Sequence, residues 1–307
     1  MYPASEIPML CYSKRVPIVT RPDEELEVAA ERALAVVALA LVREGAPTAA
    51  RAAGTLHIGD TVVSIDAPWE KTSVRMEHLQ EDKPFTLTKK GVEELLKSSR
   101  PEISKENQDI CEEHIIDTRL NGYQNHDPYG KRATRAAFTI LTSSIHTRTV
   151  ESVTALLRTH FHHASARYIS GPSLRYQVLR TLFPHERDVL IIDALRKDGA
   201  VLSLTRAGVL VAMSESEGSR DTTAWMDAAK RTLGEFAAQY PLPRTMLLVA
   251  DETEVGRLKQ AFDAISLASA WFSSPPKILP VHRNQLGSIR IPSETLEDIR
   301  LSIMAQY

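Results

Sequence analysis

The second half of the chain carries three short apolar segments in a row, separated only by turns. A long helical pattern, a fourth apolar segment and a second helical pattern follow them. Adjacent strands joined by tight turns pair antiparallel, whereas a strand reached through a helix adds in parallel. The order strand-strand-strand-helix-strand-helix therefore predicts an α/β unit built on one sheet. The segments are 188–193 (DVLIID), 200–205 (AVLSLT), 208–213 (GVLVAM), 221–239, 245–250 and 252–264.

The N-terminal part predicts a strand at residues 9–19 and a strongly apolar helix at 23–44. The helix contains the run ALAVVALALV, preceded by acidic residues and followed by Gly-Ala-Pro, which are start and stop signals of a helix. Because it is apolar on most of its circumference, we expect it to be buried between layers. The run is too short to cross a bilayer, which takes roughly 20 residues.

Residues 72–169 predict an α+β unit in which strands and helices are intermixed. Residues 72–79 alternate in polarity with a period of two, and Thr88 is a suitable N-cap for the helix that follows. The other expected elements are strands at 114–120, 133–145 and 164–169, a helix at 150–161, and in the tail a strand at 277–281 and a helix from Ser293.

Charge and cysteine content narrow the class of protein. Lys and Arg total 37 and Asp and Glu total 39, so the net charge of the 307-residue chain is −2 at pH 7. A dedicated nucleic-acid binder would show a basic excess, and a membrane-surface protein a polybasic segment. The cysteines, Cys11 and Cys111, are far apart in sequence, which excludes a disulfide framework or a zinc ribbon. We therefore expect a cytoplasmic protein of a reducing compartment.

Three stretches share a pattern with one protein family. Residues 115–145 place two strands around an Asp-Pro-x-Gly turn that starts at Asp127, and Ala67-Pro68-Trp69 ends the strand before them. Residues 188–213 form the predicted meander. The first stretch resembles the insert of the FtsA/PilM type of bacterial actin-like protein, the second resembles the entry into that insert, and the third resembles the meander that opens the second actin-like half.

The resemblance implies an α/β fold of the actin-like, ribonuclease-H-like type, with two lobes and a strand-helix-strand-strand insert. The implied parts are a remnant of the first subdomain at 1–70, the insert at 71–170 and the second subdomain at 171–307. It also implies a non-catalytic scaffold or adaptor in bacterial cell division or type IV pilus assembly, which binds a partner protein at the cytoplasmic face of the membrane. Membrane contact would be indirect, because the tail at 295–307 has one Arg and two acids and suits an anionic surface poorly. Actin relatives polymerise head to tail, so a homo-oligomer is a further expectation.

The nucleotide-binding loops of that family are missing or eroded in this sequence. Nucleotide-hydrolysing relatives need glycine after a strand-ending acid, because backbone N–H groups must approach the phosphates closely. After Asp193 the next glycine is Gly199, and Asp251 stands where the adenosine-site glycines would be. Residues 1–12 contain no glycine, so we expect the first phosphate hairpin to be absent. The sequence therefore predicts no catalysis and no cofactor.

Two alternatives remain open at the ends of the predicted strands. Asp193, Arg196 and Lys197 could form a weak remnant site for ATP and Mg²⁺, which would make the chain an ATP-binding switch; otherwise the two basic residues belong to a solvated hairpin turn. Asp193 and Asp251 could instead converge and hold two metal ions, as in a ribonuclease-H-like nuclease. Glu215 or Glu217 would add a third ligand. In the competing interpretation, Asp251 is only a helix N-cap.

Two further groups of residues are candidates for binding. His146, His160, His162 and His163 form a histidine cluster, but without a third ligand of matching spacing they are more typical of a helix end than of a metal site. Trp69 and Phe85 could be aromatic anchors for a partner peptide in a groove between the insert and the first half. The alternative is that both aromatics belong to the core.

Overall fold

The computed structural model describes residues 9–54, 61–100, 107–162, 165–196, 198–217, 222–264, 271–272, 276–286 and 298–307. Its helices and strands are α1 (Leu26–Ala40), a π-helical turn (Leu41–Gly45), α2 (Ala46–Ala53), β1 (Val62–Ile65), β2 (Glu70–Thr86), α3 (Lys89–Ser98), β3 (Gln108–Leu120), β4 (Tyr123–Gln124), β5 (Arg132–His146), α4 (Thr147–Phe161), β6 (Arg167–Ser170), α5 (Gly171–Leu182), β7 (Val189–Asp193), β8 (Gly199–Arg206), β9 (Val209–Glu217), α6 (Thr222–Gln239), β10 (Thr245–Val249), α7 (Glu252–Ala264), β11 (Lys277–Pro280), a 3₁₀ turn (Arg283–Gln285) and α8 (Ile299–Met304). None of the helices in these ranges has the length and apolar character needed to cross a bilayer.

The predicted meander and its parallel additions form a five-stranded sheet in the second half. Its order is β11-β10-β7-β8-β9, with β7, β8 and β9 antiparallel and β10 and β11 parallel. Its tightest turn joins β8 to β9, where Ala207 and Gly208 both have positive φ (51° and 88°) and the Asp188 carboxylate accepts a hydrogen bond from the Ala207 N–H. The prediction for this half is confirmed.

Helices cover both faces of this sheet, which explains why its central strand is apolar throughout. Leu190 and Ile192 of β7 pack in a core formed with α6 and α7, whereas Val189 and Ile191 pack in a second core formed with α5 and α8. A strand buried on both faces reads as a continuous apolar run rather than an alternating one.

The insert is a four-stranded antiparallel sheet of order β2-β5-β3-β4 with α3 on one face. The Thr88 side chain accepts a hydrogen bond from the Gly91 N–H, which confirms the predicted N-cap. Phe138 and Ile140 are buried on the α3 side. On the other side, Leu141 packs against the β8–β9 hairpin, so the insert contacts the second half directly.

The first half of the fold consists of the N-terminal helices and a small sheet. Its sheet has two parallel strands, β1 and β6. Helix α4 packs on α1, where the Ser152 hydroxyl donates to the Glu31 carboxylate at 2.6 Å. Strand β6 thus returns from the insert to pair beside β1, and α4 contacts the first half through α1.

The apolar N-terminal helix differs from the prediction in burial and in length. Only its small residues are buried against the protein, while the larger side chains Val36 (47% exposed) and Leu39 (41% exposed) face outward. The helix also continues to Ala53 instead of ending at Glu44. At the π-helical turn the Ala46 N–H donates to the Leu41 carbonyl, five residues back, and this shifted pattern accommodates Pro47 just inside α2.

Two terminal predictions change. Residues 10–20 are irregular rather than a strand, and they cross from the helical first half to the second half. Tyr12 donates a hydrogen bond to Glu44, while Arg15 lies near Asp251 and Asp298 of the second half. The predicted helix start at Ser293 lies outside the described residues, and α8 begins at Ile299 with Asp298 as its N-cap.

Candidate functional site

Charged side chains gather where the first half, the insert and the second half meet. Asp66 follows the end of β1, Asp193 ends β7, and Arg175 lies on α5, the helix that connects the two halves. Because parallel strands end at the same edge of a sheet and the chain then turns into a loop or helix, the polar residues that follow β1, β6 and β7 meet at this junction. We call Asp66, Arg175 and Asp193 the junction triad.

A buried arginine bridges the two acids of the junction triad. Arg175 Nη2 lies 2.6 Å from Asp66 Oδ1, and Arg175 Nε donates to Asp193 Oδ2. The side chains of Arg175 and Asp193 are 5% and 6% exposed, whereas that of Asp66 is 31% exposed. Burial works against the charge of Arg175, but the two carboxylates outweigh it and raise the pKa of the guanidinium above its usual value. The arginine therefore stays charged and links the first half to the second.

Glycine is required at the start of α5 for the junction triad to form. A Cβ atom at Gly171 would lie 2.2 Å from Asp66 Oδ1 and 2.8 Å from Arg175 Nη1. These distances are shorter than real Cβ contacts, and the atoms concerned are held by the ion pair rather than free to move away. Each residue of Ser170-Gly171-Pro172 thus has its own role at the start of α5. Ser170 is the N-cap, Gly171 lets the Asp66 carboxylate approach closely, and Pro172 fixes φ in the first turn.

A second polar group, made of one carboxyl and three hydroxyls, lies beside the triad. Glu70 Oε2 accepts from the Thr72 hydroxyl at 2.9 Å, and that hydroxyl lies 2.9 Å from Ser143 Oγ and 2.6 Å from Ser170 Oγ. Glu70 is 4% exposed and its Oε1 has no hydrogen-bond partner. Burial raises the pKa of Glu70 to about 8, and the nearby acids Glu215 and Asp66 add to the rise. A neutral carboxylic acid at this position is therefore the form that the fold favours near pH 7.

The two described residues of the predicted remnant nucleotide site, Asp193 and Arg196, are each paired with side chains of opposite charge. Asp193 is bound to Arg175 and also accepts from the Leu195 N–H. Arg196 is half-buried and pairs with Asp198 at 3.2 Å and Glu215 at 3.5 Å. Lys197 lies outside the described residues. The arrangement leaves Arg196 neutralised by two carboxylates rather than presented to an anion.

The carboxylates of the nuclease alternative do not form a common site in the described part of the chain. Strands β7 and β10 are neighbours as expected, and Asp193 pairs in register with Val249, two residues before Asp251. Arg175 neutralises Asp193, whereas Arg15 and Arg300 lie 3.9 Å and 3.7 Å from the carboxylate of Asp251. Glu215 pairs with Arg196, and Glu217 is exposed at the end of β9. Among the described residues, no three His, Cys, Asp or Glu side chains are grouped as a metal site.

The histidines lie along and around α4. His146 is the N-cap of α4, His160 is in its last turn and His162 is its C-cap with φ 53°. His163 lies outside the described residues. The helix-end position agrees with the interpretation of these residues as helix termini.

The structure does not bring the two candidate aromatic anchors together. Trp69 is half-buried at the start of the insert, where its carbonyl accepts from the His146 N–H. Phe85 lies at the opposite end of β2 and packs into the α3 core of the insert. Twelve residues of β5 separate their levels in the sheet, a distance of about 40 Å at the usual strand rise. Trp69 alone lies near the first half.

Sequence reasoning found Asp193 and missed its partners. Asp66 had the same signal, since it also ends an apolar strand, but Arg175 lies 109 positions away from it and reads in isolation as a surface residue of a helix. Glu70 gave no signal, because an acid at the start of a strand is ordinarily exposed.

Comparisons with known proteins detect the fold but no sequence relative. No family model and no curated protein matches the chain. A chain of the "PilM-PilN type IV pilus biogenesis complex" superposes with a TM-score of 0.55 at 13% identity, over 95% of this chain and 86% of that chain. A Bacteroides thetaiotaomicron protein with an actin-like ATPase fold and unknown function superposes with a TM-score of 0.44 at 9% identity, over 94% and 84% of the two chains.

The first of these likenesses agrees with what the sheets show. The antiparallel meander with parallel additions and the inserted sheet are the parts expected from the sequence. At 13% identity the likeness establishes architecture and not activity. This chain therefore has the actin-like fold that its sequence predicts.

Proposed function

We propose that the chain is a non-catalytic actin-like scaffold that holds a partner protein of a pilus-assembly or related machine at the cytoplasmic face of the membrane. The observation that carries the proposal is the junction triad. By the resemblance to the FtsA/PilM type, Asp193 stands where a nucleotide-binding relative would place its phosphate-loop acid. Here that acid is buried against Arg175.

The ion pair opposes nucleotide binding energetically. A Mg²⁺–nucleotide complex would need Asp193 free, and freeing it would break the more deeply buried of the two ion pairs of Arg175 and leave only Asp66 to balance its charge. Breaking a buried pair in this way costs about 3–5 kcal/mol. The loop after Asp193 offers no glycine before Gly199 to compensate with backbone contacts to phosphate.

The fold comparison supports the partner. One similar solved structure is that of a type IV pilus biogenesis complex named for two proteins, and the likeness extends over 95% of this chain and 86% of that chain. A fold that serves in such a complex gives an adaptor role a concrete precedent, and the chain's three-part architecture offers junctions at which a second protein can bind.

The proposal is tested by recovering partners from the source cells with a tagged chain after mild cross-linking. We expect proteins of a pilus or related envelope machine, recovered in the same amount whether or not the extract is first depleted of nucleotide with apyrase. Recovery that requires ATP would show a nucleotide switch instead. The purified chain should also release no more phosphate from Mg-ATP than a buffer blank.

A further inference from the structure

A groove of about 710 Å³ lies between the insert and the second half. Its floor is the face of the insert sheet opposite α3, and its far wall is the β8–β9 hairpin with Tyr240 at the end of α6. The volume is within the range of roughly 300–1,000 Å³ that is typical of ligand sites. The groove is separate from the junction triad, none of whose members lines it.

The charge in this groove is opposite in sign to that of the whole chain. Arg119, Arg135 and Arg206 line it together with a single acid, Asp117. Asp117 is buried (its side chain is 3% exposed) and is already bound by Arg119 and Gln124. The lining therefore has two positive charges in excess, whereas the chain as a whole has a net charge of −2.

One arginine of the groove is available for a ligand. Arg135 is exposed, and its guanidinium has no hydrogen-bond or ion-pair partner among the described residues. Arg206 pairs with Asp188 only at 3.5 Å, and the Arg119 side chain is 49% exposed despite its bond to Asp117. The three guanidinium groups come from β3, β5 and β8, so they border the groove from both the insert and the second half.

Apolar surface lies between these charges. Met76 is 44% exposed on β2, and Val209 and Val211 line the opposite wall. Ala137 pairs with His78 on the floor, and its small side chain leaves room for a side chain to enter. An exposed methionine is an adaptable contact for apolar side chains. A ligand that fits the groove therefore has both negative charge and apolar groups.

We propose that this groove is the docking site for an acidic peptide segment of a partner protein, with apolar side chains between its carboxylates. The inference rests on the proposed function for one point only, that the occupant is a protein. Nucleic acid fits less well, because its affinity depends on many phosphate contacts and the chain has no basic excess to provide them. Opposite charges on the two sides would steer association and fix the register of the segment.

The probe is a random dodecapeptide display library selected on the immobilised full-length chain. We expect enriched peptides to carry Asp and Glu among apolar residues. Arg135→Glu should weaken the best labelled peptide at least tenfold, because it places like charges together. Arg132→Glu is the matched control: Arg132 is exposed on the same strand but does not line the groove. Circular dichroism melting verifies that both variants fold.

Three results of the peptide experiment would overturn the docking proposal. They are enrichment of neutral or basic peptides or of none, equal affinity for the wild type and Arg135→Glu, and displacement of the labelled peptide by inorganic triphosphate or a single-stranded 20-mer DNA as readily as by unlabelled peptide. Failure of the scaffold function is a separate outcome. If Arg135→Glu recovers the same cellular partners as wild type, the groove assignment is wrong and the scaffold stands. If no partner is recovered but acidic peptides bind at Arg135, the groove stands without the pilus role.

Discussion

Replacing Arg175 with alanine is expected to lower the free energy of unfolding by about 3–5 kcal/mol, measured by urea denaturation. The substitution leaves the carboxylate of Asp193 buried without a counter-charge and also removes the bond to Asp66. Arg175→Lys should lose about half as much, because a single ammonium cannot reproduce the two-sided fork of the guanidinium. A large loss would show that the junction triad holds the two halves together.

The matched control is Arg158→Ala, which changes an exposed arginine on α4 outside the junction triad, and for which we expect a change within about 0.5 kcal/mol. Adding Asp193→Asn to Arg175→Met should recover more than half of the single-variant loss, since the unpaired buried charge is then removed. A loss below about 1 kcal/mol for Arg175→Ala would contradict the assignment of a buried ion pair.

Gly171→Ala tests the same junction without changing any charge. The added Cβ must displace the Asp66 carboxylate from Arg175, and we expect a loss of about 1–3 kcal/mol. Gly256→Ala in α7 is the control, because a Cβ there meets nothing within 4 Å. In a helix interior that change should instead stabilise by about 0.5–1 kcal/mol. Equal effects of the two substitutions would show that the close approach at Gly171 has no consequence.

Replacing Glu70 with glutamine is expected to remove a pH dependence of stability. The pKa of Glu70 is about 4.5 in the unfolded chain and about 8 in the folded chain. Below pH 4.5 both states hold the proton; between 4.5 and 8 only the folded state does, so rising pH favours unfolding; above 8 the difference is constant. The full change has an upper limit on the order of 5 kcal/mol.

The measurement is the free energy of unfolding of Glu70→Gln minus that of the wild type, at pH 5 and at pH 8. Subtracting the difference at pH 5 from the difference at pH 8 cancels any effect of the glutamine amide on stability that does not depend on pH. We expect the variant to gain on the wild type by a few kcal/mol as pH rises. Glu81→Gln, an exposed acid on the same strand, should run parallel to the wild type. If the free energies of unfolding of Glu70→Gln and the wild type changed in parallel with pH, the conclusion that Glu70 is a neutral acid in the folded chain would be contradicted.

Local pattern was sufficient to predict the second half of the fold. The apolar runs of β7 and β10 and the short turns between β7, β8 and β9 leave few ways to pair the strands, and the observed register follows them. The insert was also predictable, because alternation along β2 and the N-cap at Thr88 are local signals.

Position in the tertiary structure was not predictable from local pattern. The apolar helix α1 was expected to be buried because periodicity reports how apolar a helix is and not how many neighbours it has. In the structure α1 packs on α4, but its buried residues are small ones such as Ala29 and Ala38, and its outer face is exposed. The return of β6 to β1 is equally a long-range pairing, across the whole insert, that no local signal contains.

In the candidate site, too, local pattern predicted one part, and the rest depends on the tertiary structure. Asp193 was predicted as a significant acid because it ends an apolar strand, and its position at the junction follows from the sheet order. Its neutralisation by Arg175 depends on how α5 packs against two sheets, which the helix sequence alone does not specify. The groove at Arg135 was harder still to predict from the sequence. Its lining residues come from separate strands, and successive side chains of a strand point to opposite faces of the sheet.

The most direct test of the scaffold account is thermal unfolding of the chain with and without 1 mM Mg-ATP. A nucleotide site with a dissociation constant of about 10 μM would add about 2.7 kcal/mol, which for a chain of this length raises Tm by about 4 °C. With Asp193 held by Arg175 and no glycine loop beside it, the account predicts no shift. A clear rise in Tm would contradict it and show that nucleotide binds the folded chain.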